Sequence, residues 1–169
     1  MVAASEGNVE HITGSAVGGG TLLGLSKVIL ATDDVNDIDR LAMLGDACAV
    51  DIMLSEAVGG EVGRLPANAN AVNLGKLDRD EEFSRENMAA GLVRLVAQVI
   101  AVIAINAANA ADMTNIILVG HLMDLHAIRR EIRLVGEFYH REFIIPDNPG
   151  FGTAIGALSV LKSNQMSKG

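Results

Sequence analysis

Three consecutive glycines, Gly18-Gly19-Gly20, separate a short β-prone segment from a strongly apolar helix-prone one, and this restricts the fold more than any other feature. Backbone without side chains can approach another backbone or a ligand closely. A helix starting there also presents unpaired N–H groups and the positive end of its dipole. The run extends from Thr13-Gly14-Ser15 through Thr21-Leu22-Leu23-Gly24-Leu25. Alone it reads equally as a tight turn with close helix packing or as a cradle for a nucleotide. Its surroundings must decide.

Before the run, Val2-Ala3-Ala4 and Val9 to Thr13 flank Ser5-Glu6-Gly7-Asn8, whose Gly-Asn pair is a hairpin turn signal. The first strand therefore begins immediately after Met1. After the run, apolar residues predict a helix from Gly20 to about Ala31, closed by Thr32-Asp33-Asp34. A second helix carries Ile38, Leu41 and Leu44 up to Gly45. Asp46 is placed to cap a third, with Val50, Met53, Leu54 and Ala57 as its inner stripe and Gly59-Gly60 as its stop. Residues 63–80 lack sustained periodicity and read as a loop with at most one short helix or strand.

Ser84 caps a long predicted helix to about Asn109, rich in Ala and therefore suited to close helix packing within the domain or across a dimer. Residues 88–111 tempt a membrane reading, but Arg94, Gln98, Asn106 and Asn109 interrupt the apolar run. A buried core helix is the expectation, with no membrane partner. The remainder alternates: strand 115–119, amphipathic helix 125–140, strand 142–145 and a small-residue helix 152–162, leaving 163–169 as a polar tail. A hairpin, helices and then β-α-β-α predict one α/β domain over residues 1–162.

The chain has 169 residues and a formal charge of −8, which argues against a nucleic-acid partner. Arg129, Arg130 and Arg133 cluster, but they alternate with Ile128, Ile132 and Leu134 as on a solvated helix face. Cys48 is alone, which suits a reducing cytoplasm, and the N-terminus lacks the pattern of a signal peptide.

Two further glycine turns follow predicted strands, at Gly120 and at Gly150-Phe151-Gly152. Open α/β sheets bind ligands at the carboxyl ends of their strands, so three such turns would form one crevice if the strands are neighbours. Together they favour a nucleotide site. The four histidines show no metal-ligand spacing, so no metal site is expected from them. Asp46 reads as a helix cap and Asp51 as a surface charge. His140 reads as a complement to a helix dipole. Ser15 lacks the setting of a nucleophile.

The order and spacing of these pieces resembles the type II pantothenate kinases, the eukaryotic-type or Fumble family of the actin/hexokinase/sugar-kinase superfamily. Residues Ile12 to Leu25 resemble that family's Gly-Gly-Gly-Thr nucleotide loop. Gly45-Asp46, with Asp51 and Gly59-Gly60 beyond, is similar to its Gly-Asp helix and following glycine turn. Ile116 to Gly120 resembles the adenosine-site strand, and Gly150-Phe151-Gly152-Thr153-Ala154-Ile155-Gly156-Ala157-Leu158 the closing segment.

The resemblance implies an actin/hexokinase-like (ribonuclease H-like) C-terminal domain and an ATP- and Mg²⁺-dependent phosphorylation of pantothenate in coenzyme A biosynthesis. It also implies an Asp-x-Gly-Gly-Thr phosphate loop, a second phosphate loop and a catalytic Glu, which these residues do not contain. The chain thus corresponds to a C-terminal half that is inactive alone. The alternatives are a non-catalytic dimerising or regulatory module and one subunit of a split kinase. Carried over residue by residue, Gly18, Gly19, Gly20, Thr21, Leu22, Val35 and His121 are the implied nucleotide contacts. His11 is the implied contact to pantothenate or acyl-CoA; separately, the small residues of helix 88–111 lead to the expectation of a homodimer through it. His11 stands where the family has an Arg, which trades a permanently charged fork for an imidazole. Val35 replaces an aromatic residue and loses stacking on adenine.

Overall fold

The computed structural model describes residues 1–5, 8–63, 65–79 and 82–166. Strands β1 (Val2–Ser5) and β2 (Asn8–His11) pair antiparallel with Val2 opposite His11, so the predicted hairpin forms. Its turn residues Glu6 and Gly7 lie outside the described residues. Helix α1 (Gly19–Ile29) follows the glycine run, and α2 (Val35–Leu44) is capped by Asp34, whose side chain accepts from the Asn36 N–H at 2.9 Å. Ile38 and Leu41 face the core, whereas Leu44 is exposed.

Asp46 does cap, accepting from the Cys48 N–H at 2.9 Å, but the expected third helix does not form. In its place stand a 3₁₀ turn (Ala47–Ala49), strand β3 (Ile52–Met53) and the short helix α3 (Leu54–Ala57). The loop that follows supplies the reason. Lys76 N–H donates to the Val50 carbonyl, while the Leu54 and Ser55 N–H groups donate to the Ala69 and Ala67 carbonyls. Strand β4 (Asn70–Val72) pairs with β3 in the same region. Backbone groups committed to a neighbouring segment are lost to a continuous helix. Ala57, assigned to an inner stripe, is exposed.

Helix α4 (Arg85–Ala110) is the axis of the fold, and α1, α2 and α5 (His126–Tyr139) pack around it. Ser84 caps it through the Asn87 N–H at 3.2 Å. Small residues let the neighbours come close: a Cβ on Gly91 would lie 2.5 Å from Val50 Cγ2 and 2.7 Å from Leu74 Cδ2. Leu92, Val93, Val96, Ala97 and Ala101 are fully buried, each large side chain contributing roughly 1.5–3 kcal/mol of hydrophobic stabilisation. The helix is long and apolar enough to cross a membrane, yet most of its apolar window is buried inside the fold. From Glu86 to Ile105 it has no exposed residue, so the close helix approach its composition predicts is met within the chain.

Strands β5 (Ile116–Ile117) and β6 (Phe143–Ile144) pair in parallel, and the Leu118 N–H extends the ladder to the Ile144 carbonyl. Both are shorter than predicted. Among the described residues the hairpin, β3–β4 and β5–β6 are three separate two-stranded sheets. The architecture is mixed α/β. Helix α6 (Gly152–Met166) runs beyond residue 162, into the stretch expected to be a polar tail.

Candidate nucleotide site

The site is built from backbone geometry. Within the loop before α1, Ser15 Oγ donates to the Val17 carbonyl at 2.6 Å, so that hydroxyl is engaged in its own turn. Gly18 is the N-cap of α1 in an extended conformation, and its N–H donates to Thr21 Oγ1 at 3.3 Å. The Leu22 N–H returns to the Gly18 carbonyl. The N–H groups of Gly19, Gly20 and Thr21 precede the first intrahelical bond and have no acceptor among the described residues, as at any uncapped first turn. No acidic side chain stands in that turn, so nothing negative competes for its dipole.

The turn after β5 meets the glycine run. Gly120 has φ +111° and ψ 160°, a combination essentially restricted to glycine. Its N–H donates to the Pro149 carbonyl at 2.8 Å, which ties the β5 turn to the one after β6. A 3₁₀ turn, His121–Asp124, follows. A Cβ on Gly150 would lie 2.3 Å from His121 Nδ1 and 2.5 Å from Asp124 Oδ2; one on Gly152 would lie 2.8 Å from Val119 Cγ1. The closing segment therefore packs backbone against the β5 turn. Leu122 Cγ lies 3.5 Å from where a Gly19 Cβ would be.

A cavity of about 300 Å³ opens where these turns converge, at the lower end of the range for small-molecule pockets. Gly19, Gly120 and His121 line it, with Ile100, Leu118 and Met123 among its apolar walls. His121 Nδ1 is 3.0 Å from Asp124 Oδ2, and its ring meets Phe151 edge-on at 5.5 Å. Two of the three glycine turns thus line one cavity; the third, at Gly150 to Gly152, packs against the β5 turn without lining it, and the hairpin strands do not join the β5–β6 sheet.

Other predicted site residues are placed differently. Gly18, Gly20 and Thr21 adjoin the cavity in sequence without lining it, and Leu22 turns its side chain into the core. Val35 starts α2 and His11 ends β2; both are exposed, and neither lines the cavity. Sequence reasoning missed Asp124 and Phe151 as neighbours of His121. The i, i+3 spacing of His121 and Asp124 on one turn was the available signal for the first.

Asp46 and Asp51 both have structural partners. Asp46, besides capping, donates its N–H to the Asn87 side-chain oxygen at 2.9 Å, which fixes the end of α2 to the start of α4. Gly45 beside it is required there, since a Cβ would fall 2.0 Å from the Glu86 carbonyl oxygen.

Asp51 is not a surface charge but fully buried. Its Oδ1 accepts from the Leu74 N–H at 2.7 Å, and its Oδ2 is 3.3 Å from Arg94 Nη1. Arg94 also donates from Nε to Glu131 Oε2 at 2.9 Å, and Glu131 in turn pairs with Arg130. Burial pushes the Asp51 carboxyl above its ordinary pKa despite the opposing pull of the Leu74 N–H and Arg94. Burial also works against the Arg94 charge, but Glu131 and Cys48 outweigh it and hold the guanidinium above its usual value.

The arginine cluster of α5 is likewise only partly a solvated face. Arg133 is exposed, while Arg130 donates to the Ala42 carbonyl and Arg129 to that of Met123. His140 ends α5 in the left-handed conformation, φ 52°.

Comparison with known proteins decides the family. The Fumble profile matches residues 1–159. This chain belongs to the Fumble family. It is 26% identical over 152 residues to a type II pantothenate kinase of Oceanobacillus iheyensis, covering 89% of this chain and 58% of that one. A type II pantothenate kinase of Bacillus cereus is 29% identical over 147 residues, covering 86% and 54% respectively. One from Bacillus anthracis is 27% identical over 148 residues, covering 86% and 53%. The chain thus spans a little over half the length of these relatives. The family match takes in all four glycine-bearing segments of this Fumble-family chain, including the two whose glycines prove to serve packing, at Gly45 and Gly150.

Proposed function

We propose that these residues form the nucleotide-side lobe of a pantothenate kinase-like phosphotransferase of the actin-like ATPase fold, acting in coenzyme A biosynthesis. The observation that carries the reading is the cavity where Gly19 of the glycine run meets Gly120 and His121, in a Fumble-family chain. The adenosine end of ATP would lie against Leu118 to Met123, with Phe151 beside His121 as the nearest aromatic ring. The unsatisfied N–H groups of Gly19, Gly20 and Thr21 would face a phosphate.

Phosphoryl transfer is mainly positioning and charge neutralisation, and the resemblance assigns the base and phosphate loops to a different part of such a kinase. Among the described residues no three His, Cys, Asp or Glu side chains converge, so Mg²⁺ would be held chiefly by the nucleotide's phosphates. His11, in the place of an arginine, binds an anionic pantothenate or acyl-CoA ligand more weakly than arginine would. The location is cytoplasmic, in keeping with a free Cys48.

The second reading, a non-catalytic module or one subunit of a split kinase, draws on α6. Its Ile155, Leu158, Val160 and Leu161 are each more than half exposed, an apolar helix without an internal partner among the described residues. It is this helix, rather than helix 88–111, that has surface to offer a second chain.

The test is an assay of the purified 169-residue chain with ATP, Mg²⁺ and pantothenate. Nucleotide binding without phosphopantothenate formation is the expected result. Turnover at an enzyme's ordinary rate, on the order of 1–10³ per second, would overturn the half-site account.

A further inference from the structure

Another cavity, of about 700 Å³, shares no lining residue with the one at Gly19 and His121. It lies between the C-terminal half of α5 and residues 140–145. Arg129 and Arg133, one helical turn apart on α5, and Arg141 just beyond its end all line it.

These three stand outside the ion pairs that hold other arginines of the chain. The formal net charge is −8, and Arg40, Arg85, Arg94 and Arg130 each have a carboxylate within 4.0 Å. Arg129, Arg133 and Arg141 have none among the described residues. Arg129 donates to the Met123 carbonyl and Arg141 to the Asn109 side-chain oxygen, both neutral acceptors. Such bonds orient a guanidinium without discharging it. Arg133 is exposed and has no hydrogen-bond or ion-pair partner among the described residues.

Beneath the charges lies an apolar floor of Ile132, Phe143 and Ile145. Gly136 makes the close packing there possible, since a Cβ would lie 2.5 Å from the Arg141 carbonyl oxygen and 3.3 Å from the Phe143 ring. Glu137 and Glu142 also line the cavity. Their charges oppose an extended polyanion more than a single compact dianion.

We propose that this cavity binds a phosphate monoester whose organic part is apolar. Guanidinium forks suit a phosphate's oxygens, the floor suits a ring or short alkyl body, and the volume lies within the range of small-molecule pockets. The inference is independent of the nucleotide reading.

The probes are phenyl phosphate, inorganic phosphate and phenol, titrated into the full chain by calorimetry with amide-shift mapping. Phenyl phosphate is expected to bind, inorganic phosphate roughly tenfold more weakly and phenol not at all. Arg133→Gln and Arg141→Gln should each weaken phenyl phosphate roughly tenfold, the scale of a lost charge-assisted hydrogen bond. Gly19→Val should leave its affinity unchanged. Arg133 is exposed, so its variant keeps the fold and the comparison valid.

No binding of phenyl phosphate up to about 10 mM, the weak end of measurable affinity, would overturn the proposal. Affinity unmoved by both arginine variants would do the same. Equal binding of inorganic phosphate would refute the role of the apolar floor, and equal binding of phenol that of the arginines.

Discussion

Replacing Arg94 by methionine removes the charge shared by two buried carboxylates while keeping most of the side chain's packing volume. Asp51 is fully buried and Glu131 is 3% exposed. Glu131 retains Arg130 as a partner after the change, but Asp51 is left with only the Leu74 N–H. Breaking a buried pair by deleting one partner costs about 3–5 kcal/mol, because the surviving charge stays desolvated. This would be a large share of the stability of a domain this size.

The loss should depend on pH, and the sign follows from Asp51. Its folded pKa is already raised by burial above the ordinary 3.8, and removing Arg94 raises it further. A carboxyl with a raised folded pKa contributes fully below its unfolded value and loses that contribution as pH rises through the folded one. The Arg94→Met deficit should therefore be largest near neutrality and shrink toward pH 4. Urea unfolding of both chains across that interval measures it, and carboxylates remote from Arg94 cancel in the difference. Asp51→Asn in the variant background, which keeps an acceptor for the Leu74 N–H, should recover part of the loss. A deficit below about 1 kcal/mol, the scale of an exposed ion pair, would refute the reasoning, as would one that does not change with pH.

Gly45→Ala should destabilise by about 3 kcal/mol or more, since its Cβ would strike the Glu86 carbonyl rather than a movable side chain; thermal unfolding reads this directly. Gly120→Ala meets no atom within 4 Å, so its cost of about 1–3 kcal/mol should come from the backbone conformation at φ +111° alone. Asp39→Ala should cost about 0.5–2 kcal/mol, because its carboxylate accepts from the first N–H groups of α5, those of His126 and Ala127. Increased hydrogen exchange confined to the first turn of α5 would locate that effect.

What could be read from the chain was mostly local. The hairpin, the caps Asp34, Asp46 and Ser84, and the helices α1, α2, α4 and α5 each follow from residues within a few positions. What escaped is set by distant partners. Asp51 looked like a surface charge because nothing within its own segment pairs with it; Arg94 lies 43 residues on. The helix expected after Asp46 failed because residues 67–76 take the backbone groups of residues 50–55. Asp39 caps a helix 87 residues away, which no local pattern announces.

The glycine turns show both cases at once. Their placement after strands predicted convergence, and Gly19 does meet the turn at Gly120 and His121. The positions of Val35 and His11, taken from family resemblance, instead fall outside the cavity.

Nucleotide titration of the chain, comparing the wild type with Gly19→Val, tests the central claim most directly. The valine would fill space beside Leu122 at the cavity's mouth without disturbing the α1 cap. The account predicts ATP or ADP binding in the wild type, with amide shifts at residues 18–21 and 118–123, and a loss of roughly tenfold or more in the variant. Equal affinity in both chains, or no binding at millimolar nucleotide, the weak end of measurable affinity, would contradict it.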